Sequence, residues 1–385
     1  MSKLSHVVSV SPEMKTEEAS AVEIAKQSAL EVLHHNMRGP YFGLPRSAGW
    51  GYPEPYTRDC LICALGILVS GNEILIASLR EVLETLSRNQ SPRGHIPSFV
   101  HDPENRGASD TTPLFLMILT FFRKATGELN FLTDALRRAL NWMDYQSPED
   151  RVLVAQLPTS DWRDEQWVLG FGLFVNTIVF SYLRALGYTE KAELLRKQLG
   201  ELEGMVIPKR SHYGLWSYKT YFSERFDLLG NSLAIISGLA SHSRARRIIV
   251  WVERECDMLR ARGELVGALP PNLFPFITQQ DPDWHSRYDM YNRPGQYHNG
   301  GVWPFTVGFY VAAIVAAGFP QLARRKLAAL TELVRNARNP KLAFGFNEWI
   351  RADDGTLCGQ DWQSWSAAMY LYAAACVEQK RILLF

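Results

Sequence analysis

The sequence has no excess of charge of either sign. Its 385 residues include 41 lysine and arginine residues and 40 aspartate and glutamate residues, so the formal net charge at pH 7 is +1. Proteins that hold nucleic acid or an anionic membrane surface through their overall field carry a clear positive excess. The charge balance therefore argues against both partners and favours a small neutral ligand.

Long hydrophobic runs are also lacking. No stretch reaches the roughly 20 apolar residues that a membrane-spanning helix requires, and residues 1–18 have neither the apolar core nor the cleavage pattern of a signal peptide. These absences predict a cytoplasmic protein that does not contact a membrane. We expect a flexible N-terminal segment at 1–18 and a single folded domain at 19–385. The sequence leaves open whether the chain forms a homo-oligomer.

Cysteine is scarce, with five residues in the whole chain. Cys60 and Cys63 have C-x-x-C spacing, but no second pair or histidine cluster accompanies them to complete a zinc site. The sequence also lacks a P-loop, a dinucleotide fingerprint and a nucleophile elbow. We therefore expect ordinary thiols, and no pattern here supports metal-dependent chemistry.

Aromatic residues, in contrast, are plentiful, with 11 Trp, 15 Tyr and 19 Phe. Many of the Trp and Tyr residues fall in loop-like segments, and aromatic faces in a cleft stack on the apolar faces of sugar rings. The alternative is that they fill a large core, which the hydrophobic content of 46% also supports. Composition alone does not separate these two interpretations.

Apolar residues at helical spacing predict about twelve helices, whereas the alternation typical of strands is almost absent. The predicted segments are 20–36, 58–70, 73–88, 110–125, 130–145, 168–186, 188–203, 230–240, 243–258, 301–317, 320–336 and 362–378. Short links follow the even-numbered segments, and long polar and aromatic loops follow the odd-numbered ones. Six helical hairpins result.

This alternation predicts an all-α fold, an (α/α)6 barrel of six helical hairpins. If the even-numbered helices form a parallel inner ring, all the long loops lie on one face and can surround a pocket there. An open α-solenoid and an irregular helical domain are the alternatives. The absence of a shared repeat sequence argues against the solenoid.

The first two long loops contain polar residues where helices begin. Arg58 could orient a carboxylate or a sugar hydroxyl, and Tyr56 and His95 are further candidates for substrate binding. Asp59 and Asp110 could also bind substrate. Their alternative role is to cap the exposed N–H groups of the following helix.

The third long loop contains two acids that flank a tryptophan and an arginine, Asp161-Trp162-Arg163-Asp164. A carboxyl group beside an indole is desolvated, which raises its pKa and keeps it protonated, as a general acid requires. We favour Asp164 as the acid and expect Asp161 and Trp162 to bind substrate, although the sequence leaves the choice between the two aspartates open. Helix-capping acids in solvent are the alternative interpretation.

The last long loop contains Glu348, whose neighbours Phe346, Asn347 and Trp349 make it a candidate general base. A surface ion pair with Arg351 is the alternative. A base of this kind activates water on the face of the sugar opposite the acid, about 6.5–9.5 Å from it.

The remaining long loops contain further aromatic and polar residues that we expect to bind substrate. Paired glycines in the fifth loop let the backbone approach a ligand closely. The candidates are Trp216, Tyr297, His298, Asn299, Trp303, Gln363 and Trp365.

These segments resemble, in the same order, the alkaline and neutral invertases of glycoside hydrolase family 100 and, more distantly, the family 63 and debranching-enzyme glucosidases. The resemblance rests on Arg58-Asp59 with Ala64-Leu65-Gly66, on Asp110-Thr111-Thr112-Pro113-Leu114, on residues 229–236, on residues 297–304, and on Glu348 with Gln363-Ser364-Trp365. It implies an inverting hydrolase that acts on sucrose with no metal and no organic cofactor. It also implies that Asp110 binds substrate and that Glu348 corresponds to the glutamate of the family.

The third loop departs from family 100, which has an Ile-Asp-Arg-Arg-Met type sequence there. Its Trp-x-Asp pattern is more similar to debranching enzymes and related phosphorylases, in which the second acid donates the proton. Trehalose, glucosylglycerate and α-1,6-linked oligosaccharides are therefore alternative substrates. A sugar isomerase or epimerase would bring paired histidines, and a non-catalytic sugar-binding protein is the alternative from another class.

Overall fold

The computed structural model describes residues 12–147, 151–206 and 210–385. Most of the predicted flexible segment, residues 1–11, lies outside this range, and residues 12–18 belong to the first helix. Twelve helices of nine or more residues occur in the described part of the chain, and a shorter one, α10, spans Tyr288–Tyr291. None of them is long and apolar enough to cross a bilayer.

The helices form two concentric rings. The inner helices are α2 (Thr57–Ser70), α4 (Thr111–Thr126), α6 (Leu173–Ala185), α8 (Leu228–Ile236), α11 (Pro304–Ala316) and α13 (Ser364–Gln379). The outer helices are α1 (Pro12–Asn36), α3 (Glu73–Arg88), α5 (Thr133–Tyr145), α7 (Thr189–Glu201), α9 (His242–Ala261) and α12 (Pro320–Arg335).

The inner ring is closed. Each inner helix packs against the next one along the chain, and α13 packs against α2 to complete the circle. This closure confirms the predicted (α/α)6 barrel, because an open solenoid would leave α2 and α13 apart.

Burial explains why each helix takes its place in a ring. Inner helices are apolar on nearly all sides; α2, for example, is buried over almost its whole length. Outer helices have one apolar stripe, as in α3, where the buried residues recur at helical spacing. The stripe packs against the inner ring and the polar face contacts solvent.

The closing contact between α2 and α13 requires a glycine. A Cβ on Gly66 would lie 2.0 Å from the carbonyl oxygen of Ala368, so the two backbones can approach this closely only without a side chain at that position.

Short strands in the long loops were not expected from the sequence. They are β1 (Phe171–Gly172), β2 (Trp216–Tyr218), β3 (Tyr221–Ser223), β4 (Phe226–Asp227), β5 (Leu273–Phe274), β6 (Trp349–Ile350) and β7 (Leu357–Cys358). The antiparallel sheets have the orders β1-β2-β3, β4-β5 and β6-β7. Two or three residues are too few to produce an alternating pattern in a sequence, and these sheets serve to fix the loops around the barrel mouth.

Candidate active site

A pocket of about 500 Å³ opens where the long loops meet, at the N-terminal ends of the inner helices. Its walls come from the loops that precede α2, α6, α11 and α13. The lining residues are Ser47, Tyr52, Tyr56, Arg58, Asp59, Trp162, Asp164, Tyr297, His298, Trp303, Glu348, Gln363 and Trp365. The structure thus brings together all but five of the residues that the sequence predicts for a site.

Glu348 is almost completely buried, with 4% of its surface exposed. Burial raises the pKa of its carboxyl group to about 7, and the charges of Asp59 and Asp164 act in the same direction. The backbone N–H of Gln360 donates a hydrogen bond of 3.1 Å to Oε2 of Glu348 and opposes the rise, as does a hydrogen bond with Tyr52. A carboxyl group with this pKa changes its charge close to neutral pH.

The loop around Glu348 folds back on itself at Gly359. Gly359 has a φ of +69°, and a Cβ there would lie 2.2 Å from Oε2 of Glu348. The adjacent backbone is fixed because the N–H of Glu348 donates to the carbonyl of Gln360 at 2.9 Å. Glycine at position 359 therefore leaves the space in which the Glu348 carboxylate lies.

Asp164 lies at the open side of the pocket, and 61% of its side chain is exposed. Partial desolvation raises the pKa of Asp164, Arg58 opposes this rise, and the charge of Glu165 adds to it. Oδ1 of Asp164 is 4.0 Å from Nε2 of His298. Burial lowers the pKa of His298 well below its ordinary value, so the imidazole is neutral and this contact is not an ion pair.

Arg58 is the cationic residue among those that line the pocket, and it is paired with Asp110. Its Nε and Nη2 donate to the two carboxylate oxygens of Asp110 at 2.5 and 3.1 Å. Asp110 precedes α4 but makes no side-chain capping bond, so the capping interpretation of this residue is wrong. The ion pair fixes the guanidinium at the pocket wall.

Asp59 brings a third carboxyl group to the pocket. Burial raises the pKa of Asp59 to about 7, against the opposing effects of Arg58 and the Ser47 hydroxyl. Asp59, Asp164 and Glu348 thus share a pocket whose cation is already compensated by Asp110.

Between the pocket residues Trp162 and Asp164 in sequence, a fully buried arginine bridges two aspartates. Nη2 of Arg163 is 2.8 Å from Oδ2 of Asp161, and Nη1 is 3.0 Å from Oδ1 of Asp227. Asp227 also caps α8 by accepting the backbone N–H of Leu229 at 3.1 Å. Although burial alone would raise it, the pKa of Asp161 is held below its ordinary value by Arg163. Asp161 is therefore charged and committed to this network.

Five predicted substrate-binding residues do not line the pocket, because their side chains bond or pack within the protein. Asp110 and Asp161 are in the ion pairs just described. His95 stacks on Trp142 with ring centroids 4.6 Å apart, and Trp216 packs in a small separate cluster around β2. Asn299 bonds the N–H and the carbonyl of Ile277 and thereby fixes its own loop.

Ser47 and Tyr52 also line the pocket, although neither is among the residues predicted from the sequence. Tyr52 was detectable in principle, because it lies in the first long loop beside other aromatic residues, within Trp50-Gly51-Tyr52. Ser47 carries no comparable signal. Asp227 was also missed, since an aspartate before a helix usually indicates only a cap.

Comparisons with known proteins support the resemblance inferred from the sequence. Residues 218–380 match the family model of alkaline and neutral invertase. Cytosolic invertase 1 of Oryza sativa subsp. japonica is 30% identical over 158 residues, which is 40% of this chain and 26% of that protein. Probable alkaline/neutral invertase F of Arabidopsis thaliana is 33% identical over 154 residues, 39% of this chain and 28% of that protein. The match thus spans about a quarter of the length of these relatives.

Among solved structures, the GH63 mannosylglycerate hydrolase of Thermus thermophilus in complex with Tris and D-glycerate has a similar fold. It superposes with a TM-score of 0.67 at 18% identity, covering 90% of this chain and 99% of the other. The fold is therefore the helical barrel of these glycosidases. Glu348 lies inside the segment that matches the invertase model, whereas Asp164 lies outside it.

Proposed function

We propose that this protein is an inverting glycoside hydrolase that cleaves a small neutral α-glucoside, with sucrose as the first candidate. The observation that carries the proposal is the presence of Glu348 and Asp164 in one pocket at the mouth of the barrel. The match of the segment around Glu348 to the alkaline and neutral invertase model supports it.

In this proposal Asp164 is the general acid and Glu348 the general base. Asp164 transfers its proton to the glycosidic oxygen as the bond from that oxygen to the anomeric carbon breaks. Water adds to the anomeric carbon from the opposite face and gives its proton to Glu348. A pKa of about 7 suits Glu348 to this role, because the carboxylate is available near neutral pH and is still basic.

Asp161 is unsuited to donate a proton, because Arg163 stabilises its charged form and its fully buried side chain does not line the pocket. We assign Asp161, Arg163 and Asp227 a positioning role. Their network joins the loop that carries Asp164 to the start of α8, which limits the movement of the acid.

The charge of the pocket favours a neutral leaving group. Asp59, Asp164 and Glu348 are acidic, and Arg58 is already paired with Asp110. An anionic leaving group such as glycerate would be repelled by the carboxylates and would compete with Asp110 for Arg58. Sucrose and trehalose therefore rank above glucosylglycerate as substrates.

Release of glucose and fructose from sucrose near pH 7 tests the proposal. Wild-type protein should release both sugars, and Glu348→Gln and Asp164→Asn should each reduce turnover by about 10²–10⁴-fold. Trehalose, glucosylglycerate and an α-1,6-linked oligosaccharide are assayed in parallel. Near-normal turnover by both variants on the best substrate would refute the assigned roles, and sugar binding without any product would identify a non-catalytic sugar-binding protein.

We also propose that the reaction takes place in the cytoplasm. A cytosolic invertase is among the relatives, which supports this location. Other relatives are described as chloroplastic or mitochondrial, so fractionation of the source cells with activity measured in each fraction is the direct test.

A further inference from the structure

A second concave surface lies on the outside of the barrel, along α9. This groove has a volume of about 1660 Å³ and shares no lining residue with the candidate active site. Its residues come from α9 and the residue that follows it, from the segment before β2, from the end of β5 and the residue after it, and from the loop before α12. They are Arg210, Ser211, His212, Arg246, Arg247, Val250, Trp251, Arg254, Glu255, Leu259, Arg262, Phe274, Pro275 and Phe319.

The lining of the groove is rich in arginine although the chain as a whole is nearly neutral. Five arginines line it against one acid, Glu255, whereas the net charge of the whole protein is +1. On α9, Arg247 and Arg254 are separated by two turns, so they lie on the same face of the helix. A concentration of cations of this kind lowers the energy of an anion in the groove.

Three of these arginines are compensated by nearby carboxylates. Arg210 pairs with Glu224 at 2.7 Å, Arg254 with Glu255 at 3.2 Å, and Arg262 with Glu264 at 2.9 Å. The anion-binding capacity of the groove must therefore come mainly from Arg246 and Arg247.

Arg246 and Arg247 are exposed and adjacent in sequence. Arg246 donates to the carbonyl of Ala317 at 3.0 Å and lies 4.2 Å above the ring of Phe319, while Arg247 donates to Oγ of Ser243 at 2.7 Å. Within the ranges that the structure describes, neither guanidinium is paired with a carboxylate. Their neutral contacts orient them and leave donors free for a ligand.

His212 adds a second kind of polar group to the same groove. It is 3% exposed, and burial lowers its pKa to about 4, so the ring is neutral. Nε2 donates to the carbonyl of Glu224 at 3.0 Å, which makes Nδ1 an acceptor. Nδ1 has no protein partner among the described residues. A ligand hydroxyl is the group that complements it.

From these observations we propose that the α9 groove binds a phosphorylated polyol of small size, with its phosphate held by Arg246 and Arg247. Arginine matches phosphate because its planar fork donates two parallel hydrogen bonds. Trp251 and Phe319 also line the groove, and aromatic side chains of this kind can pack against the carbon skeleton of a polyol. A sugar monophosphate has both required groups, the anion and the hydroxyls.

Calorimetric titration of the full chain tests this site with glucose 6-phosphate, inorganic phosphate and glucose as probes. We expect glucose 6-phosphate to bind more tightly than inorganic phosphate. The double variant Arg246→Gln/Arg247→Gln should weaken its binding by about tenfold or more, because it removes charge-assisted hydrogen bonds. Both substitutions are on the surface, so the variant should fold and keep the hydrolytic activity of the wild type.

The matched control is Arg324→Gln/Arg325→Gln on α12, which removes two adjacent exposed arginines outside the groove. Unchanged affinity in this control supports the site. An equal loss in both double variants would show a general charge effect and overturn the proposal, as would the absence of glucose 6-phosphate binding. Binding of a heparin fragment without binding of glucose 6-phosphate would overturn it in favour of an extended polyanion. Because the titration does not depend on hydrolysis, its result is separate from that of the proposed function.

Discussion

At the scale of single residues, the hydrogen bond between Tyr52 and Glu348 sets a testable pH dependence. Below about pH 7 the proposed base becomes protonated, so kcat/KM should fall as the pH decreases through that value. The bond stabilises the charged carboxylate and lowers its pKa. In Tyr52→Phe the midpoint should therefore move upward by about one pH unit, since a hydrogen bond to a charged group contributes about 1.5 kcal/mol and one unit corresponds to about 1.4 kcal/mol.

The measurement is a pH profile of kcat/KM for the two proteins. Tyr56→Phe is the matched control, because it removes a hydroxyl from the same pocket wall and should leave the midpoint in place. A downward shift in Tyr52→Phe would contradict the assigned hydrogen bond.

A side chain at position 359 should disturb the Glu348 carboxylate directly. Alanine there would collide with the Glu348 carboxylate, and at a φ of +69° it would also strain the backbone. Gly355→Ala is the control, because its φ is +76° but the nearest atom to its Cβ would be a Val266 methyl at 3.5 Å. The backbone strain alone should cost about 1–2 kcal/mol of stability in each variant, and the collision adds to this cost in Gly359→Ala. Only Gly359→Ala should reduce kcat, by about a hundredfold or more. Equal kcat values for Gly359→Ala and Gly355→Ala would show that the space beside Gly359 does not matter for the Glu348 carboxylate.

Among the helices, the close approach of α2 to α13 predicts that replacing Gly66 by alanine destabilises the protein. Alanine is the better helix former by about 1 kcal/mol. Gly66→Ala should nevertheless lower the free energy of unfolding by about 2 kcal/mol or more, because its Cβ would overlap the Ala368 backbone. Gly200 lies at an exposed position of α7, where an added Cβ would have no atom within 4 Å. Gly200→Ala should therefore raise the free energy of unfolding by about 0.5–1 kcal/mol. Denaturant unfolding of both variants measures the difference.

Helices were the best predicted elements, because their signal repeats over many residues. The predicted segment 73–88 coincides with α3, and the short links between hairpins are where the sequence places them. The strands β1 to β7 and α10 were missed because each is four residues or shorter. The predicted start of the eighth helix was two residues late, since Leu228 and Leu229 follow β4 directly.

Contacts between loops were harder to predict than the loops themselves. The sequence indicates that Asp161 and Asp164 share a loop, but it does not indicate that Arg163 of that loop also pairs with Asp227 before α8 and so holds Asp161 in a buried network. Likewise, Asn299 was chosen for its donors, and those donors bond the Ile277 carbonyl across the chain. Local sequence carries no information on such distant partners.

At the scale of the whole molecule, the pocket carboxylates should reduce stability at high pH. Glu348 has a folded pKa of about 7, above its ordinary value of 4.5. For a group with a raised pKa, the stabilisation is complete below the unfolded pKa and is lost as the pH rises through the folded pKa. Glu348→Gln removes this dependence. It should therefore raise the free energy of unfolding by roughly 1–3 kcal/mol at pH 8 and change it little at pH 4.

Thermal or denaturant unfolding of the wild type and Glu348→Gln at both pH values gives the comparison. Glu165→Gln, a replacement at a less buried carboxylate outside the pocket, is the control and should show no such gain at pH 8. A Glu348→Gln protein that is less stable than the wild type at pH 8 would mean that the charged form of Glu348 is not destabilising.

The closure of the ring by α13 against α2 also constrains how the chain folds during synthesis. A ribosome makes residues 57–70 long before residues 364–379, so α2 emerges without the helix that covers one of its apolar sides. Until then that apolar side stays open to contacts with chaperones or with other parts of the chain. Gln363 and Trp365 lie at the start of the closing helix, and Glu348 precedes it by less than twenty residues. The chain therefore acquires a closed barrel and the complete lining of the candidate pocket in the same late step.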